Sequence, residues 1–126
     1  NARPDRLKLL GIALKNMVFV TEHKAAYITI SQDELDSCNY QKGDTEGFVN
    51  YGLSVAGIEM AVLMTESKKE NMIKMSFRSK GDLAVNLFAK TYFEGGGHIN
   101  AAGGKSNKSL QETEAYFLKS LATFLS

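Results

Sequence analysis

The sequence predicts one α/β domain in which a mixed sheet of about four to five strands is flanked by helices. Three observations predict this class. The 126 residues suffice for a single hydrophobic core. Apolar residues switch between helical spacing and strand spacing along the chain. No internal repeat, low-complexity tract or linker divides the sequence, and no apolar run approaches the ~20 residues that span a bilayer.

The first thirty residues predict a helix and two strands. Pro4 suits the first turn of a helix over residues 4–16, and leucines recur there at helical spacing, namely Leu7, Leu10 and Leu14. Residues 17–30 predict two short strands joined by a turn at residues 22–24. We expect His23 to be a solvated side chain of that turn.

The middle of the chain predicts a helix, a loop and a central strand. Ser31 stands three residues before Glu34, the capping-box spacing that begins a helix. Residues 43–57 are polar and bounded by glycines, which predicts a loop with a helical turn inside it. Residues 58–67 are apolar enough to predict a strand at the centre of the sheet.

Residues 71–79 predict a strand with one apolar and one polar face. Its alternating residues are Ile73, Met75 and Phe77 on one face and Lys74, Ser76 and Arg78 on the other. Residues 82–93 predict a helix with Asp82 as its N-cap, and its inward residues are expected to be Leu83, Leu87 and Phe88. Residues 105–109 predict a loop, and Ser109 with Glu112 predicts the start of a last helix.

The stretch FEGGGHINAAGG, residues 93–104, carries the strongest functional signal. Three consecutive glycines cost conformational entropy and add little to a core. HINAAGG can form a short helical turn, at whose entry the amides of Gly95, Gly96 and Gly97 would bind an anion. Spacing alone favours the other account, a tight structural turn in which His98 bridges loop and core.

Charge is unevenly distributed along the chain. Residues 67–108 carry eight basic and three acidic side chains, whereas the whole chain has a net charge of +1. A local positive field favours an anionic ligand, although an ordinary solvated surface explains part of this block. Arg78 is a candidate for bidentate phosphate binding, with Lys74 and Ser76 beside it. Tyr92 or Phe93 is a candidate for stacking on a base.

A self-sufficient catalytic centre is not predicted. The sequence lacks metalloprotease, dithiol, P-loop and nucleophile-elbow motifs, and we predict no metal site in this chain. The single cysteine, Cys38, excludes an internal disulfide and suits a cytoplasmic protein. We interpret Asn1 and Ala2 as a tag remnant and residues 3–126 as the domain.

Several blocks together resemble the DHH-associated domain, the C-terminal lobe of DHH superfamily phosphoesterases. The blocks are EGGGHINAAGG, MSFRSKGDLAVNLFA and GDTEGFVNYGLSVAG, and the resemblance runs from about residue 17 to 125. They are most similar to the branch of oligoribonucleases (nanoRNases) with 3′-phosphoadenosine 5′-phosphate phosphatase activity, often labelled exopolyphosphatase-related. A related module of alanyl-tRNA synthetases has an arginine where His98 stands, and is therefore a weaker match.

The resemblance implies a division of labour between two lobes. The N-terminal DHH lobe would hold two manganese ions and cleave the phosphodiester, and it is absent from this chain. This chain would bind a short oligonucleotide or nucleotide substrate and would be inactive alone. The resemblance implies a substrate site formed by Ser76, Arg78, Ser79, Gly95, Gly96, Gly97 and His98. Supporting positions would be Lys74, Asp44, Glu46 and Asn50, although a structural role for Asp44 and Glu46 is equally compatible.

Two other functions remain open at this point. One is a nucleic-acid-binding module without catalysis, and the other is a lobe of a polyphosphate or cyclic-dinucleotide hydrolase. The oligomeric state is also left open by the sequence. No membrane partner is expected.

Overall fold

A six-stranded mixed sheet, in the order β1-β2-β3-β4-β6-β5, organises the computed structural model, which describes residues 3–126. The strands are β1 (Val18–Val20), β2 (Ala25–Ile30), β3 (Met60–Ser67), β4 (Met72–Ser79), β5 (Gly96–His98) and β6 (Ala101–Ser106). The helices are α1 (Pro4–Lys15), α2 (Gln32–Ser37), α3 (Phe48–Leu53), α4 (Val85–Tyr92) and α5 (Leu110–Leu125). Only the β2–β3 pair is parallel. The α/β class is confirmed, with six strands in place of four or five. Asn1 and Ala2, interpreted above as a tag remnant, lie outside the described residues.

Both predicted capping boxes are present. The Ser31 hydroxyl accepts a hydrogen bond from the Glu34 amide at 3.1 Å, and the Glu34 carboxylate accepts one from the Ser31 amide at 2.9 Å. Ser109 and Glu112 form the same reciprocal pair at the start of α5. Such caps satisfy amides that the first helical turn leaves unpaired.

Helices cover the two faces of the sheet to different extents. On one face α4 and α5 pack across β2, β3 and β4 around an aromatic core of Phe77, Phe88, Phe93 and Phe117. On the other face α1, α2 and α3 pack on β2 and β3, where the buried residues include Ile28, Leu63 and Phe48. A Cβ at Gly52 of α3 would lie 2.9 Å from the Cβ of Ala61, so glycine permits close docking of α3 on β3.

Helix α4 begins later than the sequence predicts. Its first residue is Val85 and Ala84 occupies the N-cap position, so the assignment of Asp82 as N-cap is wrong. Phe88 is buried as expected, but Leu87 is 54% exposed. The short helix leaves Leu87 on the outer side, because Val85, Phe88 and Ala89 form its buried stripe. In α1 the buried residues are Leu9 and Ala13, whereas Leu7 and Leu14 are exposed.

The glycine stretch forms a β-hairpin, and the predicted helical turn is wrong. Strands β5 and β6 are joined by a turn at Ile99 and Asn100. Pairing of β6 with β4 satisfies the backbone groups of this segment, and glycine favours such an arrangement over a helix. The hairpin also takes Lys105 and Ser106, which were predicted as loop, into β6. The predicted turn at residues 22–24 is a short 3-10 helix, Thr21–His23.

Candidate functional site

The register of three strands brings four of the predicted site residues onto one face of the sheet, namely Ser76, Arg78, Gly96 and His98. Directly paired residues of antiparallel strands share a face. Arg78 of β4 pairs with Ala101 of β6, and Ala101 pairs with His98 of β5. We call this the first row, and it lies on the sheet face that carries α1, α2 and α3, where α3 still reaches β4 while β6 and β5 lie farther from these helices. The second row, one pleat along, is Ser76, Gly103 and Gly96. These two rows form the open face.

Arg78 and His98 stand on either side of a floor of small residues. Two strand spacings, about 10 Å, separate their backbones, so both side chains can reach one anion between them. The Nη1 of Arg78 donates to the carbonyl of Phe77 at 2.9 Å. This bond uses one of the five N–H donors of the guanidinium. His98 is exposed on the edge strand, where its ring is accessible to a ligand.

The glycines of the hairpin divide into two groups by what a side chain would meet. A Cβ at Gly95 would lie 1.9 Å from the carbonyl oxygen of Gly103, and one at Gly104 would lie 2.9 Å from that of Phe93. Gly97 has a φ of 145°, and its Cβ would lie 2.7 Å from the Ala101 carbonyl oxygen. These three glycines are required for packing.

Gly96 and Gly103 have no such packing requirement. A Cβ at Gly96 would meet nothing within 4 Å, and one at Gly103 would meet only the Met75 carbonyl oxygen at 3.6 Å. Both belong to the second row of the open face, beside Ser76. Glycine at these two positions lowers the sheet surface beside the Arg78–Ala101–His98 row, which permits close approach of a ligand.

The amide nest expected at a helix entry has a different geometry in the hairpin. The Gly95 amide donates to the Ala89 carbonyl at 3.1 Å and is therefore occupied. What this face presents is therefore mainly side chains above small residues. Strands β4, β5 and β6 contain no Asp or Glu, which favours an anionic ligand.

Ser79 lies apart from the open face. It is 6% exposed, and its hydroxyl contacts the carbonyls of Leu83 at 2.5 Å and Ile99 at 3.2 Å. Asn100 donates from Nδ2 to the Ser79 hydroxyl at 2.9 Å and to the Gly81 carbonyl at 3.1 Å. This network fixes the turn that follows His98. Asn100 was missed by sequence reasoning, although an Asn in a turn is a usual signal for such bonds.

The four supporting positions lie on different elements: Asp44 and Glu46 in the loop between α2 and α3, Asn50 on α3 and Lys74 on β4. Asp44 is buried in the loop between α2 and α3, where it pairs with Arg3 at 2.5 Å and accepts from the Gln41 amide at 2.8 Å. These contacts, the amide bond first, lower the pKa of Asp44 below its usual value. Glu46 and Asn50 are exposed, the latter on α3.

Lys74 forms an ion pair with Glu70, and this contact lowers the pKa of the Glu70 carboxyl. The aromatic candidates Tyr92 and Phe93 both pack in the core under the opposite face of the sheet. Phe93 is 1% exposed, so it is not available to stack on a base. Among residues 3–126, no three His, Cys, Asp or Glu side chains are grouped closely enough to hold a metal ion.

The fold and the sequence of this chain are similar to those of known proteins. The model of the DHHA1 domain family matches residues 17–126. A crystal structure of an exopolyphosphatase-related protein from Bacteroides fragilis is 35% identical over 98% of this chain, with a TM-score of 0.93. A pGpG-specific phosphodiesterase of Vibrio cholerae, 10% identical over 94% of the chain, shares the fold with a TM-score of 0.65.

An uncharacterized protein from Helicobacter pylori G27 has the same fold at 16% identity and a TM-score of 0.51, over 94% of the chain. The chain spans 36%, 39% and 31% of the lengths of these three proteins, in the order given. No curated protein sequence matches significantly. None of the described helices has the length and apolar character needed to cross a membrane. Because the family model matches residues 17–126, the chain belongs to the DHHA1 domain family.

Proposed function

We propose that the open face binds substrate phosphate in a two-domain phosphoesterase of the DHH superfamily. Its substrates would be short oligoribonucleotides or phosphoadenosine phosphate. The observation that carries this proposal is the first row, in which Arg78 and His98 flank Ala101 on strands without acidic residues. A guanidinium with free donors binds phosphate oxygens in pairs, and His98 adds a donor to the same anion.

The small residues of the floor give the site its shape. Gly96 and Gly103 keep the sheet surface low in the row next to Arg78 and His98, so a phosphate can approach the backbone there. The Ser79–Asn100 network holds the hairpin turn next to His98. Position and electrostatics are what a substrate-binding lobe contributes to phosphoryl chemistry.

The cleavage chemistry is assigned to a second lobe. The similar Bacteroides fragilis protein is almost three times as long as this chain, which leaves room for such a lobe in a relative of the same architecture. The described residues do not offer a fitting set of ligands for manganese. We therefore place the manganese ions in the DHH lobe and derive no step through them.

The proposed division of labour is tested by comparing this 126-residue chain with a two-lobe protein in which the same chain follows a DHH lobe. Hydrolysis of a dinucleotide and of phosphoadenosine phosphate is measured with manganese for both. We expect turnover by the two-lobe protein and none by the 126-residue chain. Robust turnover by the chain alone would contradict the proposal.

The role of His98 is tested in the two-lobe protein. His98→Ala should raise KM or lower kcat/KM while the manganese content, measured by elemental analysis, stays unchanged. Loss of manganese in this variant would assign His98 to the metal site instead. A Lys119→Ala variant, altered on the exposed side of α5, is the matched control.

The remaining candidate functions give different results in the same assays. A binding module without catalysis predicts no turnover by either protein and a steep salt dependence of binding to long single strands. A polyphosphate or cyclic-dinucleotide hydrolase predicts turnover of those compounds in preference to linear RNA. The relatives whose names mention exopolyphosphatase and pGpG make both compounds suitable competitors.

A further inference from the structure

We infer that the open face leads into a second ligand subsite, and that both subsites together bind a linear oligonucleotide longer than a dinucleotide. This inference rests on the proposed function and specifies its substrate class. The second subsite consists of a third cross-strand row and the groove that adjoins it.

The third row is cationic. Lys74 of β4 pairs with Lys105 of β6, and Thr65 of β3 pairs with Lys74 on the other side. Lys74 stands four positions before Arg78 on β4, which is about 13 Å along an extended strand. The second row, with its glycines, lies between the two cationic rows.

Two lysines directly opposite on neighbouring strands repel each other. Glu70 neutralises Lys74, but no described carboxylate forms an ion pair with Lys105. Glu70 thus reduces the repulsion, and a bound anion would balance the remaining charge of Lys105. The third row is therefore a second position at which the sheet favours a phosphate.

A groove of about 550 Å³ begins at this row. Thr65 and Lys74 form its near side, and α2 with the loop before α3 forms its far side through Leu35, Tyr40, Lys42 and Thr45. Its volume lies in the range typical of small-molecule sites, about 300–1,000 Å³. The groove and the open face thus form one continuous surface.

The side chains of the groove suit a nucleotide. The Tyr40 ring is 40% exposed and offers a surface on which a base can stack. Lys42 and Lys69 are exposed and form no ion pair with a described carboxylate. Of the two carboxylates in the lining, Glu70 pairs with Lys74 and Glu66 accepts a hydrogen bond from the Gln32 amide at 2.9 Å.

The separation of the two subsites selects among phosphate-containing ligands. Both phosphates of phosphoadenosine phosphate are attached to one ribose, so this compound fits one subsite at a time. A cyclic dinucleotide is similarly compact. Inorganic polyphosphate can extend over both cationic rows but has no base for Tyr40. A linear oligonucleotide has the length, the spaced phosphates and the bases that the surface accommodates.

The test measures binding of fluorescently labelled oligoadenylates of two and five nucleotides to the 126-residue chain by anisotropy. We expect the five-nucleotide ligand to bind about tenfold more tightly than the dinucleotide. This is the gain expected if one of its three additional bases stacks on Tyr40 and the adjoining phosphate contacts the lysines. The double variant Lys42→Gln/Lys69→Gln should lose this gain and keep its affinity for the dinucleotide. Lys90→Gln/Lys119→Gln, on α4 and α5, is the control and should keep the gain.

The outcomes separate this inference from the proposed function. If the wild type shows no length dependence, or the gain survives in the Lys42/Lys69 variant, the second subsite is wrong. The proposed function still stands in that case, provided that Arg78→Gln weakens binding of both lengths. If Arg78→Gln changes neither, the proposed function itself fails.

A second measurement tests the nucleoside part of the inference. Tyr40→Leu keeps an apolar side chain but removes the ring, and should weaken the five-nucleotide ligand without affecting inorganic polyphosphate. Equal losses for both ligands would overturn base stacking at Tyr40. Circular dichroism of each variant checks that it is folded.

Discussion

Two halves of the same sheet face differ in what lies above them. On β2 and β3 the residues of this face, such as Ile28 and Leu63, are buried under α1, α2 and α3. On β6 and β5 the same face is open and presents His98, and on β4, which α3 still contacts, it presents the half-buried Ser76 and Arg78. The boundary between the two halves therefore runs along β4.

The difference is explained by the cost of burying charge. Covering Arg78 without an anionic partner would remove a guanidinium from water at a cost that apolar burial nearby does not offset. The covered half therefore contributes to stability, and the open half remains available for a ligand. The glycines of the hairpin divide in a similar way. Gly95, Gly97 and Gly104 are needed for packing, whereas Gly96 and Gly103 leave space above the open face.

The largest expected effect comes from adding a methyl group to a packing glycine. Gly95→Ala would place a Cβ at 1.9 Å from the Gly103 carbonyl oxygen. Because neither backbone can move without breaking hairpin contacts, we expect a loss of about 3 kcal/mol in the free energy of unfolding. Urea denaturation followed by circular dichroism measures this change.

The matched variant on the floor is Gly96→Ala. A Cβ there meets nothing within 4 Å, so the free energy of unfolding should change by less than about 0.5 kcal/mol. Affinity for a dinucleotide should nevertheless fall, because the methyl group occupies the approach to the open face. Equal destabilisation by both alanine variants would abolish the distinction between the two groups of glycines.

The next largest effect is expected at Arg78. Arg78→Gln removes the charge and the paired donors while retaining a long polar side chain. Hydrogen bonds to charged groups contribute about 1.5–3 kcal/mol, so affinity for phosphate-containing ligands should fall about 10- to 100-fold. Isothermal titration measures the affinity, and Lys90→Gln is the control. Unchanged affinity would show that the open half is not the binding surface.

A smaller effect is expected from the network behind the hairpin turn. Ser79→Ala removes the hydroxyl that contacts Leu83, Ile99 and Asn100. We expect the free energy of unfolding to fall by about 1–2 kcal/mol and ligand affinity to fall because the turn after His98 is less well fixed. Ser76→Ala, on the open face, is the comparison and should leave stability nearly unchanged. A larger loss of stability in Ser76→Ala than in Ser79→Ala would contradict the structural role of the Ser79 hydroxyl.

The smallest expected effect is the pH dependence of the free energy of unfolding that Asp44 causes. The pKa of Asp44 is lower in the folded protein than its usual 3.8. The unfolded chain therefore binds the proton first, and the stabilisation by ionised Asp44 is complete above about pH 4. It is lost as the pH falls below that value through the folded pKa.

Denaturation of the wild type and Asp44→Asn across pH 2–7 measures this contribution. The difference in unfolding free energy should be constant near neutrality and shrink in acid. A pH-independent difference would show that the Arg3 and Gln41 contacts do not depend on the carboxylate charge.

Local signals allowed much of the fold to be predicted. The capping boxes at Ser31 and Ser109 and the alternation along β4 depend on neighbours within a few residues, so they were visible in the sequence and are confirmed. The glycine hairpin was missed because one of its strands, β6, is stabilised by pairing with β4, which is distant in the chain. The N-cap assigned to Asp82 was wrong because the segment up to Ala84 adopts a turn, with Val85 bonded to the carbonyl of Ile99.

The sequence predicted which residues form the candidate site, but it did not predict how these residues are arranged in space. Arg78, His98 and the glycines were identified from charge, spacing and family resemblance, and their role stays a prediction. Local sequence could not show that Ser79 is buried while Ser76 is open, since this follows from which face of β4 the helices cover.

The sequence by itself determined the α/β class, the polar face of β4 and the presence of a glycine-rich anion-binding candidate. Only the tertiary structure decided that Arg78 and His98 share a row, that Gly96 and Gly103 form an open floor, and that a groove adjoins it. The physical reason is that strand register and helix coverage depend on long-range pairing and burial. Those interactions form between segments that are distant in the chain, and the local sequence of one segment does not show which other segment it contacts.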